Sequence, residues 1–229
     1  MPNLFLLRHF KSQWNKENRF TGWVDVPLAE GEDAKEWVSK KIFSFNIEKI
    51  YSSPLIRNQQ TVLKILENKG RYPIFIHLDK GRMKDRGSFE EINNDYIPVY
   101  ISESLNERYY GKLQGLNKDE TIERYGREKV RLFRRSFDIA PLKGESLKDV
   151  YKRAVPFFKR YIERDLKEGK DILVVASHNS LRALLKHIEK VPDKDIINYE
   201  IPFGGLIKYE LDSKMAVTNK EVVAKDLVL

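Results

Sequence analysis

Two apolar runs in this sequence end in a histidine: "LFLLRH", closing on Arg8-His9, and "DILVVASH", closing on Ser177-His178. Arg57 follows "IYSSP", and Glu107 with Arg108 follows "IPVYIS". These residue types fit one chemistry. A neutral imidazole nitrogen attacks phosphorus, planar guanidinium groups stabilise the equatorial oxygens of a transferring phosphoryl group, and a carboxylate moves the proton of the hydroxyl that gains or loses it. Taken singly, each has a plain structural explanation. A strand-end histidine is usually structural, a pair such as Arg134-Arg135 usually faces solvent, and Glu107 alone could be a surface carboxylate. Their agreement points to phosphoryl chemistry, and that chemistry needs no metal ligand set.

The elements that must position these groups read as an alternation of strands and helices. "LFLLRH", "IEKIYSSP", "YPIFIHL", "IPVYIS", "KDILVVASH" and "LIKYEL" have strand character, the fifth being the most convincing buried strand. Between them lie helical patterns. "PLAEGEDAKEWVSKKIFSF" places Ala34, Trp37, Val38 and Ile42 on one face, and "LIRNQQTVLKILENKG" is ended by Gly70. "KDETIERYG" and "REKVRLFRRSF" are helical, a long helix runs from near Ser146 to about Lys167, and "NSLRALLKHIEKV" has Asn179 or Ser180 at its amino end. "DKGRMKDRGSFEEINND" is a long polar loop or flap, covering roughly residues 79–95. This order predicts an α/β fold: three layers, a mostly parallel sheet with helices on both faces, and a helical cap from about Leu78 to Leu142. In such a sheet the carboxyl ends of the strands share an edge, so both histidines face one crevice.

Composition narrows the function classes. The 229 residues suffice for one α/β domain over 1–229, and no linker or repeat divides it. There are no cysteines, which excludes disulfides and thiolate chemistry. The net charge of +8 is dispersed rather than gathered in an arm, which argues against nucleic acid and suits a small polyanionic substrate. The sequence has neither a membrane-spanning apolar run nor a signal-like amino terminus, so a cytoplasmic protein is expected.

The stretches "LRHFKSQWNKENRFTGW", "LNERYYGKLQGLNKDET", "FRRSFD", "GESLKD" and "NSLRALLKH", in this order, resemble the cofactor-dependent phosphoglycerate mutases of the histidine phosphatase superfamily. The resemblance covers nearly the whole chain. It implies that His9 carries the phosphoryl group, that Arg8 and Arg57 clamp it, that Glu107 donates and accepts the proton, and that His178 stabilises the transferring group. By the same resemblance Ser12, Asn15, Thr21 and Gly22 line the phosphate and substrate site. Arg108, Tyr110, Lys118, Arg134, Arg135 and Asn179 match the residues that hold the distal phosphate and carboxylate. The implied reaction interconverts 3-phosphoglycerate and 2-phosphoglycerate in glycolysis and gluconeogenesis, with 2,3-bisphosphoglycerate as primer and intermediate and without metal. Phosphoglycerates are then the small-molecule partners, and a homodimer is compatible with the family.

The chain also departs from the family's pattern. Arg8-His9-Phe10 stands where Arg-His-Gly is usual, and Ala176-Ser177-His178-Asn179 where Ala-His-Gly-Asn is usual. An ungapped alignment puts Ser177 in the histidine's place, so His178 serves only if the strand-to-helix turn is rebuilt with one residue fewer. The bulk of Phe10 would fill space so released. Backbone carbonyl 10 can still orient the His9 ring if its φ is negative. The segment before "SLNER" is long, the stretch from Pro141 to Gly144 is short, and Phe203 replaces a usual threonine; all three are expected at the pocket mouth. His77 and His187 match no functional position. Two other readings follow from these departures: a phosphatase of small phosphorylated metabolites, or a catalytically weak protein that binds phosphorylated ligands.

Overall fold

The strands β1 (Asn3–Arg8), β2 (Ile47–Ser52), β3 (Tyr72–His77), β4 (Tyr96–Ile101), β5 (Asp171–Ala176), β6 (Leu206–Leu211) and β7 (Val217–Val222) form one sheet in the order β3-β4-β2-β5-β1-β6-β7. The computed structural model describes residues 1–31, 36–67, 69–87, 89, 91 and 93–223. Strands β1 to β5 are mutually parallel, whereas β6 runs antiparallel to β1 and β7 antiparallel to β6. The register pairs Leu4 with Ile172 through to Arg8 with Ala176, which brings the ends of β1 and β5 level. Both histidine-bearing termini therefore lie side by side.

The helices are α1 (Gln13–Lys16), α2 (Glu36–Ile42), α3 (Ile56–Leu66), α4 (Arg82–Arg86), α5 (Lys118–Tyr125), α6 (Arg127–Arg135), α7 (Leu147–Phe157), α8 (Glu163–Lys167) and α9 (His178–Ile188). Strand alternation divides the core. Leu4, Leu6, Ile172 and Val174 pack with α7, α8 and α9, while Phe5, Leu7, Leu173 and Val175 pack with α2 and α3 on the opposite face. These strands are apolar on both sides because both sides are covered. Helices α5 and α6 form the cap, packed against each other and, through α6, against the turn at Ile196–Asn198.

Several expectations need correction. The run "VTNKEV" forms β7, an outer strand whose side chains are all exposed or half-buried, so no apolar alternation announced it. Trp37 lies on α2 but is 37% exposed, while Val38 and Ile42 are buried as expected; Ala34 lies outside the described residues. Helix α3 stops at Leu66, before Gly70. The polar stretch after β3 contains the short helix α4 rather than being loop throughout. The long helix does span from its Ser146 cap to Lys167, but a wider π-type turn at Phe158–Ile162 interrupts it just after Pro156, which has no amide hydrogen to bond. The cap of α9 is Ser177, two or three residues earlier than Asn179 or Ser180.

Candidate active site

His9 is the first residue beyond β1, and its backbone is fixed from both sides. Its N–H donates to Ala176 O at 3.2 Å, and the Gly204 N–H donates to Arg8 O at 3.1 Å. The His9 Nδ1–H donates to the Phe10 carbonyl at 2.6 Å. That assignment follows from the acceptor, which carries no hydrogen, and it leaves a lone pair on Nε2. Burial lowers the His9 pKa well below 6.5, and the Arg57 and Arg8 charges lower it further. The ring is thus a neutral nucleophile at pH 7.

The glycine-to-phenylalanine change does not plug the site. Phe10 is 2% exposed and belongs to the apolar cluster with Leu7, Val175 and Leu206. It does not fill space beside His178, as the sequence had suggested. Its room comes from Gly204, where an added Cβ would sit 3.0 Å from two Phe10 ring carbons. Among the described residues the positive-φ positions other than glycine are Asn18, Lys143, Lys190 and Met215, so the Phe10 carbonyl is presented without strain. Phe10→Ala is expected to cost about 3–5 kcal/mol of stability through the cavity left behind. A urea midpoint measures that loss, and the His9 ring, held by backbone, should keep its chemistry.

Arg57 sits in the first turn of α3 and is buried. It donates to Val24 O at 3.1 Å and to Gly22 O at 2.7 Å, which anchors the Thr21-Gly22 turn beneath it. Gly22 has φ +58, which favours glycine, and a Cβ there would lie 2.2 Å from Gln114 Oε1, so a larger residue would push the Gln114 side chain aside. Burial lowers the pKa of Arg8 and of Arg57 to about 10, and both stay cationic. The Glu107 Oε1 accepts from the Arg108 N–H at 2.6 Å and from Asn179 Nδ2 at 2.7 Å. Two donors on one oxygen leave Oε2 to face the cleft and, at 3.5 Å, the Asn179 N–H at the start of α9.

Strand β5 ends at Ala176, Ser177 is extended, and α9 begins at His178, so the connection is a single residue. Ser177 is fully buried and its Oγ accepts from Asn58 Nδ2 at 3.3 Å, whereas His178 lines the cleft. Burial, with Arg8, Arg182, Arg135 and Arg108 nearby, lowers the His178 pKa well below 6.5. Its Nε2 lies 3.3 Å from Glu200 Oε1 and 3.5 Å from Arg135 Nη1. The arginines outweigh the one carboxylate, and the ring is neutral; Nε2 either donates to Glu200 or accepts from Arg135.

Two buried histidines with lowered pKa values bind protons on unfolding below pH 6.5. Stability is then complete above that pH and falls on acidification, by at most about 1.4 kcal/mol per pH unit for each ring. Urea unfolding at pH 7.5 and 5.5 should show a lower midpoint at 5.5. The His9→Gln/His178→Gln double variant should flatten that difference.

These groups share a cleft whose empty space, mouth included, is about 700 Å³. Arg8, His9, Asn15, Thr21, Gly22, Arg57, Glu107, Tyr110, Lys118, Arg134, Arg135 and His178 all line it. Lys118 opens α5 and Arg134-Arg135 close α6, so the cap supplies the outer cations. Burial among Arg134, Arg8 and Arg135 lowers the Lys118 pKa to about 8. Ser12, Arg108 and Asn179, expected in the site, stand behind its wall. Ser12 caps α1 and donates to Asn15 Oδ1 at 2.7 Å. The Arg108 Nη2 donates to Arg134 O at 2.6 Å and to Tyr110 Oη at 3.3 Å. Asn179 spends its amide on Glu107 and Tyr110 and its oxygen on Arg182 Nη1 at 2.9 Å.

Of the three departures expected at the mouth, Phe203 lines the cleft; the described residues of the segment before "SLNER" and of the 141–144 stretch do not. The Phe203 face covers the Arg8 guanidinium at 3.7 Å. Arg19, Phe20 and Glu200 also line the cleft and escaped the sequence reading. Arg19 lay inside the quoted "NKENRFTGW" block, which was the available signal. Glu200 had none. His77 ends β3 and His187 packs with Tyr151 and Phe158, both outside the lining.

The family model for the histidine phosphatase superfamily (branch 1) matches residues 4–81 and 86–220. A 2,3-bisphosphoglycerate-dependent phosphoglycerate mutase of Methanococcus vannielii is 48% identical over 219 residues, spanning 93% of this chain and 92% of that protein. One of the same name from Methanosarcina acetivorans is 40% identical over 214 residues, spanning 86% of each. Among solved structures, YhfR of Bacillus stearothermophilus superposes with a TM-score of 0.72 at 23% identity, covering 98% of this chain and 96% of that one. That likeness speaks to the fold. On the family match, the relatives and the shared architecture, the chain belongs to the histidine phosphatase superfamily and, within it, to the 2,3-bisphosphoglycerate-dependent phosphoglycerate mutases.

Proposed function

We propose that this protein interconverts 3-phosphoglycerate and 2-phosphoglycerate through a phosphohistidine at His9, in glycolysis and gluconeogenesis in the cytoplasm. The observation that carries this reading is a neutral His9, Nδ1 tied to the Phe10 carbonyl, in one cleft with Glu107 and six cationic side chains. Six cations against two carboxylates suit a ligand with several negative charges, and Arg8 Nε is buried without a hydrogen-bond partner. The residues present therefore fit 2,3-bisphosphoglycerate. When bound, it supplies the phosphoryl group that primes His9.

His9 Nε2 forms an N–P bond as the donor's P–O bond breaks, and Glu107 gives a proton to the departing oxygen. In the return step Glu107 takes the proton of the acceptor hydroxyl, and the N–P bond breaks as the new P–O bond forms. Arg8, Arg57 and a neutral His178 stabilise the equatorial oxygens. Asn15, Thr21 and Gly22 shape the floor, and Tyr110, Lys118, Arg134 and Arg135 hold the distal phosphate and carboxylate. Ser12, Arg108 and Asn179 act by fixing those residues. Firm distal binding keeps the bisphosphate in place between transfers, so that water does not take the phosphoryl group.

Turnover of 3-phosphoglycerate with the bisphosphate primer and a chelator present tests the reading. Isomerisation well above phosphate release, unchanged by the chelator, is expected. Predominant phosphate release would make the protein a phosphatase, and binding without either product would make it a ligand-binding relative.

A further inference from the structure

Glu200 is an acidic side chain inside a cleft built for anions. It follows a 3-10 turn at Ile196–Asn198 and precedes β6, on a stretch with no regular structure. Its carboxylate lies 3.6 Å from Arg8 Nη1, 3.3 Å from His178 Nε2, and in direct contact with Arg135. The partners are more deeply buried than it is, with side-chain exposures of 11% for Arg8, 23% for Arg135 and 11% for His178 against 38% for Glu200. A half-exposed carboxylate on an irregular segment can swing away with little loss of packing. The groups it touches cannot.

We propose that Glu200 is a specificity-determining residue: its carboxylate holds the anion position between Arg8, Arg135 and His178 and so weakens the binding of the most highly charged ligands. While Glu200 is seated, the His178 Nε2 and the Arg135 guanidinium are engaged by protein rather than by substrate. An incoming phosphate or carboxylate group must displace it to use them. If Glu200 stays instead, its repulsion of the ligand grows with the ligand's charge, so a bisphosphate is disfavoured more than a monophosphate. Displacement weakens the binding of every anion that takes the position, whereas repulsion by the seated carboxylate is what selects against the bisphosphate. The inference rests on the mutase reading for the identity of those two ligands, but not for the anion position itself.

The opposite role makes the opposite prediction. A carboxylate that merely preorganised Arg135 and His178 would strengthen ligand binding, and its loss would weaken it. Calorimetric binding to Glu200→Gln discriminates the two. With His9→Ala in both proteins to prevent transfer, Glu200→Gln should tighten 2,3-bisphosphoglycerate by about tenfold and 3-phosphoglycerate by clearly less. Unchanged or weaker affinity, or equal tightening of both ligands, overturns the proposal. A lower thermal midpoint for unliganded Glu200→Gln, recovered on adding inorganic phosphate, would show that the variant is folded. If neither phosphoglycerate binds the parent protein, the mutase reading fails separately. Inorganic phosphate then serves as the probe, with tighter binding to Glu200→Gln supporting the displaced carboxylate and equal or weaker binding refuting it.

Discussion

His9→Ala is expected to abolish interconversion, with kcat lowered by at least about 10⁴-fold, because no other group in the cleft can accept the phosphoryl group. His178 is the nearest chemical substitute, yet its Nε2 faces Glu200 and Arg135. Removing the His9 ring leaves the backbone bonds to Ala176 and Gly204 in place. The variant should therefore fold and bind phosphoglycerates while transferring nothing. A residual rate within a hundredfold of the parent would assign the carrier role elsewhere.

Glu107→Gln should lower kcat by about 10²–10⁴-fold, the range for loss of a positioned general acid and base. The substitution is close to isosteric. The amide oxygen can accept from the Arg108 N–H and the Asn179 side chain as Oε1 does now, so the wall of the cleft should stand. What disappears is the proton exchanged with the substrate oxygen. The two variants differ in a way that kinetics alone would miss: Glu107→Gln should still acquire label on His9, slowly, whereas His9→Ala should acquire none. A Glu107→Gln enzyme with near-normal kcat would show that another group or solvent moves the proton.

The central strands and the site they present were legible because burial on both faces writes itself into the sequence. "LFLLRH" and "DILVVASH" are apolar until the chain leaves the sheet, and the side chains that follow meet at one edge. Strand β7 had no such signature, since an edge strand with exposed side chains reads like a loop. Depth within the site was also illegible. Motif spacing brought Ser12, Arg108 and Asn179 close to the chemistry, but only coordinates show that each spends its polar atoms on a lining neighbour. The shift from Ser177 to His178 was resolved by a one-residue connection that turns serine toward Asn58 and sends the histidine to the cleft. Glu200 escaped altogether, because it reaches the site from the approach to β6, where sequence carries no periodic signal.

The claim on which the mechanism stands is that a neutral His9 takes the phosphoryl group on Nε2 because Nδ1 is committed to the Phe10 carbonyl. Brief incubation with 2,3-bisphosphoglycerate labelled with ³²P, alkaline quench, peptide mapping and phosphorus–nitrogen NMR of the modified ring test it in one measurement. Acid-labile phosphate on Nε2 of His9 is the predicted result. Label on Nδ1, label on His178, or rapid turnover with no label on His9 would contradict it.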